Sequence, residues 1–299
     1  MRVGRELVGA VRSFAVVGMN TGNLPILAVD SDGCALDAMS LKHRLCFTPA
    51  IIEVWALESV RELVVEESLR INLYSPLRGV NRFEALAELF RCLREKLPAA
   101  DADCLPASEA LEAWVASAPV LSETALREAI EQATGVDRHA LARVLQWTTE
   151  VNRRVALLAS PPAFPGVEAT LRRAEEAGIP VFVVSSATKA AISGEWKAAG
   201  LDRYVQEIFG QEDGTKSTVL KRIATNAESP ALLLMVGDAP GDRTAARAVG
   251  AHFWPIVPDL EEESWTRLRE EILPVFRDGA VPQARLSAWE DCFARALVT

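Results

Sequence analysis

Long hydrophobic runs are missing from this 299-residue sequence, and positive charge is scarce. No apolar run approaches the ~20 residues that a membrane-spanning helix needs. Lys and Arg total 32 against 41 Asp and Glu, so the formal net charge is −9. Since nucleic acids and anionic membranes favour basic surfaces, this balance argues against both as partners. It is compatible with a small phosphorylated ligand, because a few cations in a pocket suffice to bind one.

Paired cysteines are absent as well. The five cysteines, an odd number without CxxC spacing, are Cys34, Cys46, Cys92, Cys104 and Cys292. This pattern argues against a disulfide framework or a zinc site and is typical of free thiols in a reducing compartment. The apolar stretch at residues 14–17 is too short for a signal peptide, and no clean small-residue cleavage site follows it. We therefore expect a cytoplasmic protein.

Short apolar strands alternate with amphipathic helices in the second half of the sequence. An earlier strand pattern lies at residues 26–29. The other four strand patterns lie at residues 179–184, 204–209, 231–236 and 252–257. The helical patterns that accompany them lie at 167–177, 189–199, 216–226 and 242–249. This alternation predicts an α/β fold with a doubly wound parallel sheet, as in Rossmann-like domains.

The segment between the first two strands has a different character. Helical patterns fill it, at residues 50–72, 81–97, 107–118, 122–134 and 137–159, and no strong strand pattern interrupts them. We therefore predict a sheet domain formed by residues 1–33 and 163–258. An all-helical insert occupies residues 34–162, directly after the first strand, and a helical extension occupies residues 259–299.

Two carboxylates, Asp30 and Asp32, stand where the first apolar run stops, and Gly33 follows them. Residues i and i+2 of an extended strand share one side, so both carboxylates can face one point. Like charges at one point require a cation, a shared proton or both. Gly33 permits backbone geometry that other residues avoid. The working interpretation is a magnesium-dependent phosphoryl-transfer site.

Polar residues also follow the later strands. Ser185 and Ser186 follow the second, Lys216 begins the helix after the third, and Asp238 and Asp242 follow the fourth. Ligands of open α/β sheets bind at the carboxyl ends of the strands, so these side chains are expected to meet there. Individually, each has an ordinary structural interpretation, as a helix cap or a solvated helix residue.

The four motifs together resemble those of the haloacid dehalogenase superfamily, a group of hydrolases that are mostly phosphatases. The matching stretches are Val29-Asp-Ser-Asp-Gly33, the strand that ends at Ser185, Lys216 at its helix, and Gly237-Asp-Ala-Pro-Gly-Asp242. The helical insert after the first motif resembles the first type of mobile cap in that superfamily, as in phosphoglycolate-phosphatase-like members. The sequence departs from the usual pattern at Ser217, where Pro is frequent, and at Cys34, where Thr or Val is common.

The resemblance implies a role for each motif residue. Asp30 would be the nucleophile and form an aspartyl-phosphate, and Asp32 would act as acid and then as base. Lys216 and Ser185 would hold the phosphoryl oxygens. The implied cofactor is Mg²⁺, bound by Asp30, the backbone carbonyl of Asp32, Asp238 and, directly or through water, Asp242.

Substrate selection is expected to come from the insert, because the sheet domain reads only the phosphate. The candidate substrate-binding residues are Gly33, Lys42, His43, Arg44, Arg78, Asn81, Arg82 and Ser186. Arginine suits bidentate recognition of a carboxylate or a phosphate. Ordinary surface charge is the alternative explanation of the cations in this set.

Four other functions share parts of this pattern. A phosphomutase acting on phosphosugars would carry the same motifs. A nucleotide-binding module is suggested by Gly210 to Ser217, which nearly fits GxxxxGK[ST] but has Thr215 where the pattern requires Gly. A receiver-like signalling domain or a non-catalytic phosphate-binding protein would also gather Asp and Lys residues, although the insert does not suit the former. The preferred prediction is a Mg²⁺-dependent phosphatase acting on a small phosphorylated metabolite.

Overall fold

The computed structural model describes residues 25–98, 104–226 and 232–297. Its five-stranded sheet contains β1 (Ile26–Val29), β2 (Val181–Val184), β3 (Glu207–Phe209), β4 (Leu233–Gly237) and β5 (His252–Pro255). The strand order is β3-β2-β1-β4-β5, and all four neighbouring pairs are parallel. The predicted α/β fold with a doubly wound parallel sheet is confirmed. The first 24 residues of the predicted sheet domain lie outside the described residues.

β1 is the central strand, and its sequence explains why. All four residues are apolar and buried, without the alternation of a half-exposed strand, because helices cover both faces of a parallel sheet. Ala28 pairs with Phe182 of β2 on one side and with Met235 of β4 on the other. The chain therefore delivers Asp30 to the middle of the carboxyl edge of the sheet.

Seven helices form the described part of the insert. They are α1 (Ala38–Lys42), α2 (Thr48–Trp55), α3 (Arg61–Tyr74), α4 (Arg82–Lys96), α5 (Glu109–Ser117), α6 (Glu123–Gln132) and α7 (Gly135–Val155). A π-helical segment, His43–Phe47, joins α1 to α2. The insert has its own hydrophobic cluster, in which Trp55, Phe90 and Trp147 are buried, separate from the cluster around the sheet.

The prediction of a single helix at residues 50–72 is wrong, because the chain turns after Trp55 and forms two helices, α2 and α3. Ala56 adopts a left-handed conformation with φ of 54°, and the Leu57 amide donates back to the Ile52 carbonyl at 2.9 Å. This is a Schellman-type helix end, and it buries Leu57 in the cluster of the insert. Burial of a hydrophobic side chain thus outweighs the helical propensity of the segment.

The helices that flank the sheet are α8 (Val167–Glu176), α9 (Lys189–Ala198), α10 (Lys216–Asn226) and α11 (Pro240–Ala248). The strand predicted at residues 204–209 is shorter, since its first part is a 3-10 turn at Asp202–Tyr204. Within the described residues, no helix is both long and apolar enough to cross a membrane.

The C-terminal extension packs on the sheet domain. It contains α12 (Glu261–Arg267), α13 (Leu273–Arg277) and α14 (Gln283–Ala296). A π-helical segment, Leu268–Ile272, separates α12 from α13 just before Pro274, which has no backbone N–H to donate. Trp265 is buried in the cluster around the sheet, and its Nε1 donates to the Cys34 carbonyl at 3.0 Å. The extension therefore supports the loop that follows β1.

Candidate active site

Three carboxylates meet at the carboxyl edge of the sheet. Asp30 follows β1, Asp238 follows β4, and Asp242 lies in the first turn of α11. One carboxylate oxygen from each lies within 4.8 Å of the other two, and all three residues are buried. Asp242 is fixed there because its Oδ2 accepts the Ala239 amide at 3.1 Å. The structure therefore brings together residues that the sequence separates by more than two hundred positions.

Lys216, at the start of α10, neutralises part of this charge. Its Nζ lies 2.7 Å from Asp30 Oδ2 and 2.5 Å from Asp242 Oδ1. Burial, together with the nearby Asp242 and Asp238, raises the pKa of Asp30 to about 8 in spite of Lys216. Burial lowers the pKa of Lys216, but Asp242 and Asp30 more than offset this and leave it above its ordinary value. Lys216 is therefore a stable cation beside the predicted nucleophile.

Asp238 pairs with a residue of the insert. The Arg78 side chain donates to Asp238 Oδ2 at 2.8 Å and to its backbone carbonyl at 2.9 Å. Burial raises the pKa of Asp238 to about 6, although Arg78 lowers it. Arg78 was predicted to bind substrate, and the structure places it on a predicted metal ligand instead.

The surroundings of Asp238 fit a metal ion. Its Oδ1 is buried and has no hydrogen-bond partner within the described residues. Gly33, with φ of +79°, lies so close that an added Cβ would approach Asp238 Oδ2 to 2.5 Å. Mg²⁺ prefers carboxylate oxygens and few protein ligands. The three buried carboxylates, of which Asp238 has an oxygen without a hydrogen-bond partner, are therefore a suitable donor set for Mg²⁺.

Asp32 is more exposed than these three carboxylates, with 27% of its side chain accessible, and it pairs with a second cation of the insert. Lys42 Nζ, at the end of α1, lies 2.5 Å from Asp32 Oδ2 and 3.3 Å from Glu195 Oε1. Burial lowers the pKa of Lys42, but the Asp32 and Glu195 carboxylates outweigh it and raise the pKa overall. Sequence reasoning missed Glu195, which lies within α9 rather than at the end of a strand. Lys42 was predicted to bind substrate, and the structure places it on the predicted acid/base.

A cavity of about 620 Å³ opens over these residues. The sheet domain lines it with the residues Asp30, Asp32, Ser185, Ser186, Lys216, Asp238 and Asp242, among others. The insert contributes Met39, His43, Phe47, Asn72, Gly79, Val80 and Arg82. Ser185 is held in the turn after β2, where its Oγ accepts the Ala187 amide at 3.3 Å. The predicted serines and Arg82 therefore do face the site.

Five candidate residues do not line this cavity: Gly33, Lys42 and Arg78, whose surroundings are described above, and Asn81 and Arg44. Asn81 is the N-cap of α4: its Oδ1 accepts the Phe83 amide at 3.0 Å, and its Nδ2 donates to the Leu121 carbonyl at 2.8 Å. Arg44 is exposed, and its Nε donates to Ser40 Oγ at 3.3 Å. Phe47, which sequence reasoning missed, lines the cavity from the π-helical segment. In the sequence, the one feature that could have indicated Phe47 is that it is aromatic and lies close to the candidates Lys42, His43 and Arg44.

Comparisons with known proteins agree with the motifs. The family model described as haloacid dehalogenase-like hydrolase matches residues 119–256. A search of curated proteins finds no match.

Solved structures of similar shape include three hydrolases of low sequence identity. A haloacid dehalogenase-like family hydrolase from Streptococcus pneumoniae is 13% identical, with 81% of this chain and 91% of that chain covered and a TM-score of 0.41. A haloacid dehalogenase-superfamily hydrolase from Geobacter sulfurreducens is 18% identical, with 79% and 89% covered and a TM-score of 0.41. A protein named a predicted phosphoglycolate phosphatase, from Haemophilus somnus, is 15% identical, with 77% and 84% covered and a TM-score of 0.45.

Residues 119–256, which match the haloacid dehalogenase-like hydrolase model, include Ser185, Lys216, Asp238 and Asp242, so the match agrees with the resemblance drawn from the last three motifs.

Proposed function

We propose that this protein is a Mg²⁺-dependent phosphatase that hydrolyses a small phosphorylated metabolite through an aspartyl-phosphate. The observation that supports it most is the position of Asp30, which ends the central strand, lines the cavity and contacts Lys216 at 2.7 Å. A carboxylate is an available nucleophile for phosphorus, and a cation beside it stabilises the charge that gathers during transfer.

In the first step an oxygen of Asp30 attacks phosphorus, and the bond from phosphorus to the leaving oxygen breaks. Lys216 holds a phosphoryl oxygen by its charge, and Ser185 does so by its hydroxyl. Asp32 gives its proton to the leaving oxygen, which departs as an alcohol. Lys42, 2.5 Å from Asp32 Oδ2, keeps that carboxyl group in position in the lining of the cavity.

In the second step Asp32 accepts a proton from water as the water attacks phosphorus, and the bond to Asp30 breaks to release inorganic phosphate. Asp30, Asp238 and Asp242 would hold Mg²⁺, with the backbone carbonyl of Asp32. When bound, Mg²⁺ supplies the positive charge that lets an anionic carboxylate approach an anionic phosphate. The unpartnered Oδ1 of Asp238 supports this assignment.

The insert is proposed to select the substrate, because seven of its residues line the cavity. A volume of about 620 Å³ suits a small metabolite. A nucleic acid or a membrane is not proposed as a partner, in keeping with the net charge of −9. We also propose that the protein acts in the cytoplasm.

Release of phosphate from a panel of phosphorylated metabolites and p-nitrophenyl phosphate, with and without Mg²⁺, tests the proposal. Wild type should release phosphate only with Mg²⁺, and Asp30→Asn should abolish turnover while it leaves the circular dichroism spectrum unchanged. The matched control is Asp37→Asn, because Asp37 precedes α1 without a capping hydrogen bond from its side chain. It should keep wild-type activity.

Two outcomes would overturn the proposal. Normal turnover by Asp30→Asn would remove the nucleophile. Transfer of phosphate within a phosphosugar, without release and with activation by the doubly phosphorylated sugar, would identify a phosphomutase instead.

A further inference from the structure

Arg82, the first residue of α4, lines the cavity on the side of the insert. Its Nη1 donates to Thr148 Oγ1 at 3.0 Å and to Asn152 Oδ1 at 2.8 Å, which fixes the guanidinium against α7. No carboxylate of a described residue comes within 4.0 Å of its nitrogens. The charge of Glu123 raises the pKa of Arg82 from a greater distance. Glu123 also accepts a hydrogen bond from Asn152 at 3.2 Å. Lys216, by contrast, contacts two carboxylates in the same cavity.

Arg82 has hydrogen-bond donors that its bonds to α7 do not use. A guanidinium carries five N–H groups, and the two bonds to α7 both use Nη1. The Nε and Nη2 groups make no hydrogen bond to a described residue. Burial lowers the pKa of Arg82, yet an arginine stays charged in proteins. A partly buried cation with three free donors is therefore aligned along the wall of the cavity by neutral side chains.

His43 and Phe47 complete the surroundings of this cation. The guanidinium carbon of Arg82 lies 5.0 Å from the centre of the Phe47 ring, and the His43 ring lies 4.7 Å from the same ring. His43 is nine-tenths buried, and its Nδ1 has no hydrogen-bond partner among the described residues. Burial and the nearby Arg78, Arg82 and Lys42 lower the pKa of His43 to about 3, so the ring is neutral at pH 7.

The insert thus presents an unpaired cation, an aromatic face and a neutral polar ring to the same cavity. Charge-assisted hydrogen bonds from a planar guanidinium suit a carboxylate or a phosphate. In the proposed mechanism, Lys216 and Ser185 of the sheet domain already bind the phosphoryl group under attack. A cation on the opposite wall is suited to a second anion of the substrate, on the leaving group.

We propose that Arg82, with His43 and Phe47, forms a second subsite that selects phosphomonoesters whose leaving group carries a carboxylate or another phosphate. This inference rests on the proposed phosphatase function. In the subsite Arg82 binds the anion, His43 bonds to a hydroxyl of the leaving group through Nδ1, and Phe47 packs against its carbon chain.

Two matched pairs of substrates test the subsite. 3-Phosphoglycerate and glycerol 3-phosphate differ by a carboxylate in place of a hydroxymethyl group, and fructose 1,6-bisphosphate and fructose 6-phosphate differ by a phosphate. In wild type, kcat/KM should favour the anionic member of at least one pair by about tenfold or more, the usual worth of a hydrogen bond to a charged group. The pair that shows the preference identifies the anion as a carboxylate or a phosphate.

Arg82→Gln keeps an amide that can bond to α7 but removes the charge, so the preference should fall to within about twofold of unity. Arg82→Lys should keep part of it. Arg138→Gln removes a charge from an exposed position of the insert and should leave the preference unchanged. The ratio within a pair does not depend on the folded fraction of a preparation, so a less stable variant still gives an answer.

The outcomes separate the two levels of the proposal. If wild type releases phosphate from these esters but shows no preference, or if Arg82→Gln keeps the preference, the subsite is refuted and the phosphatase function stands. If wild type releases no phosphate from any of them, nor from p-nitrophenyl phosphate, the phosphatase function itself is refuted. Calorimetry of 3-phosphoglycerate binding to Asp30→Asn then tests the subsite without turnover, and binding that Arg82→Gln does not weaken would refute it.

Discussion

Arg78 of the insert and Asp238 of the sheet domain form a salt bridge in which the side chains are only 5% and 1% exposed. The two residues are 160 positions apart, and the bridge links the loop after α3 to the loop after β4. The backbones approach closely at the next residue as well, because a Cβ added to Gly79 would lie 2.6 Å from Ala239 Cβ. The insert therefore contacts the sheet domain at a predicted metal ligand.

The salt bridge should couple the two regions energetically. Arg78→Gln leaves a buried carboxylate without its counterion, so the free energy of unfolding should fall by about 3–5 kcal/mol. The double variant Arg78→Gln with Asp238→Asn removes both charges and should be more stable than Arg78→Gln alone. Urea unfolding of the four proteins in EDTA gives the coupling energy, for which we expect at least about 1 kcal/mol.

Additive losses in this cycle would show that Arg78 acts only through its packing. Addition of Mg²⁺ provides an independent check, because a cation at Asp238 replaces the missing charge. It should raise the melting temperature of Arg78→Gln more than that of wild type and should raise that of Asp238→Asn least.

Binding of Mg²⁺ should release protons. Burial, together with Asp242 and Asp238, places the pKa of Asp30 at about 8 without metal, so this carboxyl group is mostly protonated at pH 7. A metal ligand must be ionised, so the proton leaves on binding and the apparent affinity rises as the pH rises towards 8. Isothermal titration calorimetry at pH 7, in buffers of different ionisation enthalpy, should show release of about one proton per Mg²⁺.

The release should fade by pH 9, where Asp30 is already ionised. Asp30→Asn should bind Mg²⁺ with less release than wild type at pH 7. An identical release from the variant would assign the proton to another group.

Lys42 should act through Asp32 rather than on the substrate. Lys42→Met removes the partner at 2.5 Å from Asp32 Oδ2, so proton transfer to the leaving oxygen should suffer. Alkyl phosphates need that proton and should lose about tenfold or more in kcat, whereas p-nitrophenyl phosphate, with its stable leaving group, should lose much less. Lys197→Met, which removes an exposed charge from α9, is the control. Equal losses on both substrates would contradict a positioning role.

Local patterns were sufficient to predict the sheet and the residues at its edge. β1, β2 and β4 are short apolar runs followed by Asp30, Ser185 and Asp238, and parallel strands end at a common edge. The proximity of Asp30, Lys216 and Asp242 follows from that geometry and from the order of the motifs. The helix start at Asn81 was also visible in principle, since Asn is a preferred N-cap residue and Glu84 follows three positions later.

Contacts between the insert and the sheet domain could not be predicted in this way. Helical periodicity shows which face of a helix is buried, but not the face of the partner that it meets. From the sequence, Arg78 and Lys42 are therefore interpreted as surface cations that could contact a substrate. Only the packing of the insert shows that Arg78 pairs with Asp238 and that Lys42 pairs with Asp32. The turn at Ala56 escaped prediction because a non-Gly residue in the left-handed region has no clear sequence signal.

The burial of His43 should make the protein sensitive to acid. The pKa of His43 is about 3 in the folded state, against an ordinary 6.5, because of burial and the cations nearby. Below pH 6.5 the unfolded chain takes up a proton that the folded protein does not, so this contribution to stability is complete above pH 6.5 and is lost as the pH falls towards 3. At pH 5 the loss amounts to roughly 2 kcal/mol. Urea unfolding at pH 7 and pH 5 should therefore show a smaller difference for His43→Asn than for wild type, by about that amount. His139→Asn, at an exposed position, should behave as wild type, and an unchanged difference in His43→Asn would mean that the folded protein protonates His43 near its ordinary pKa.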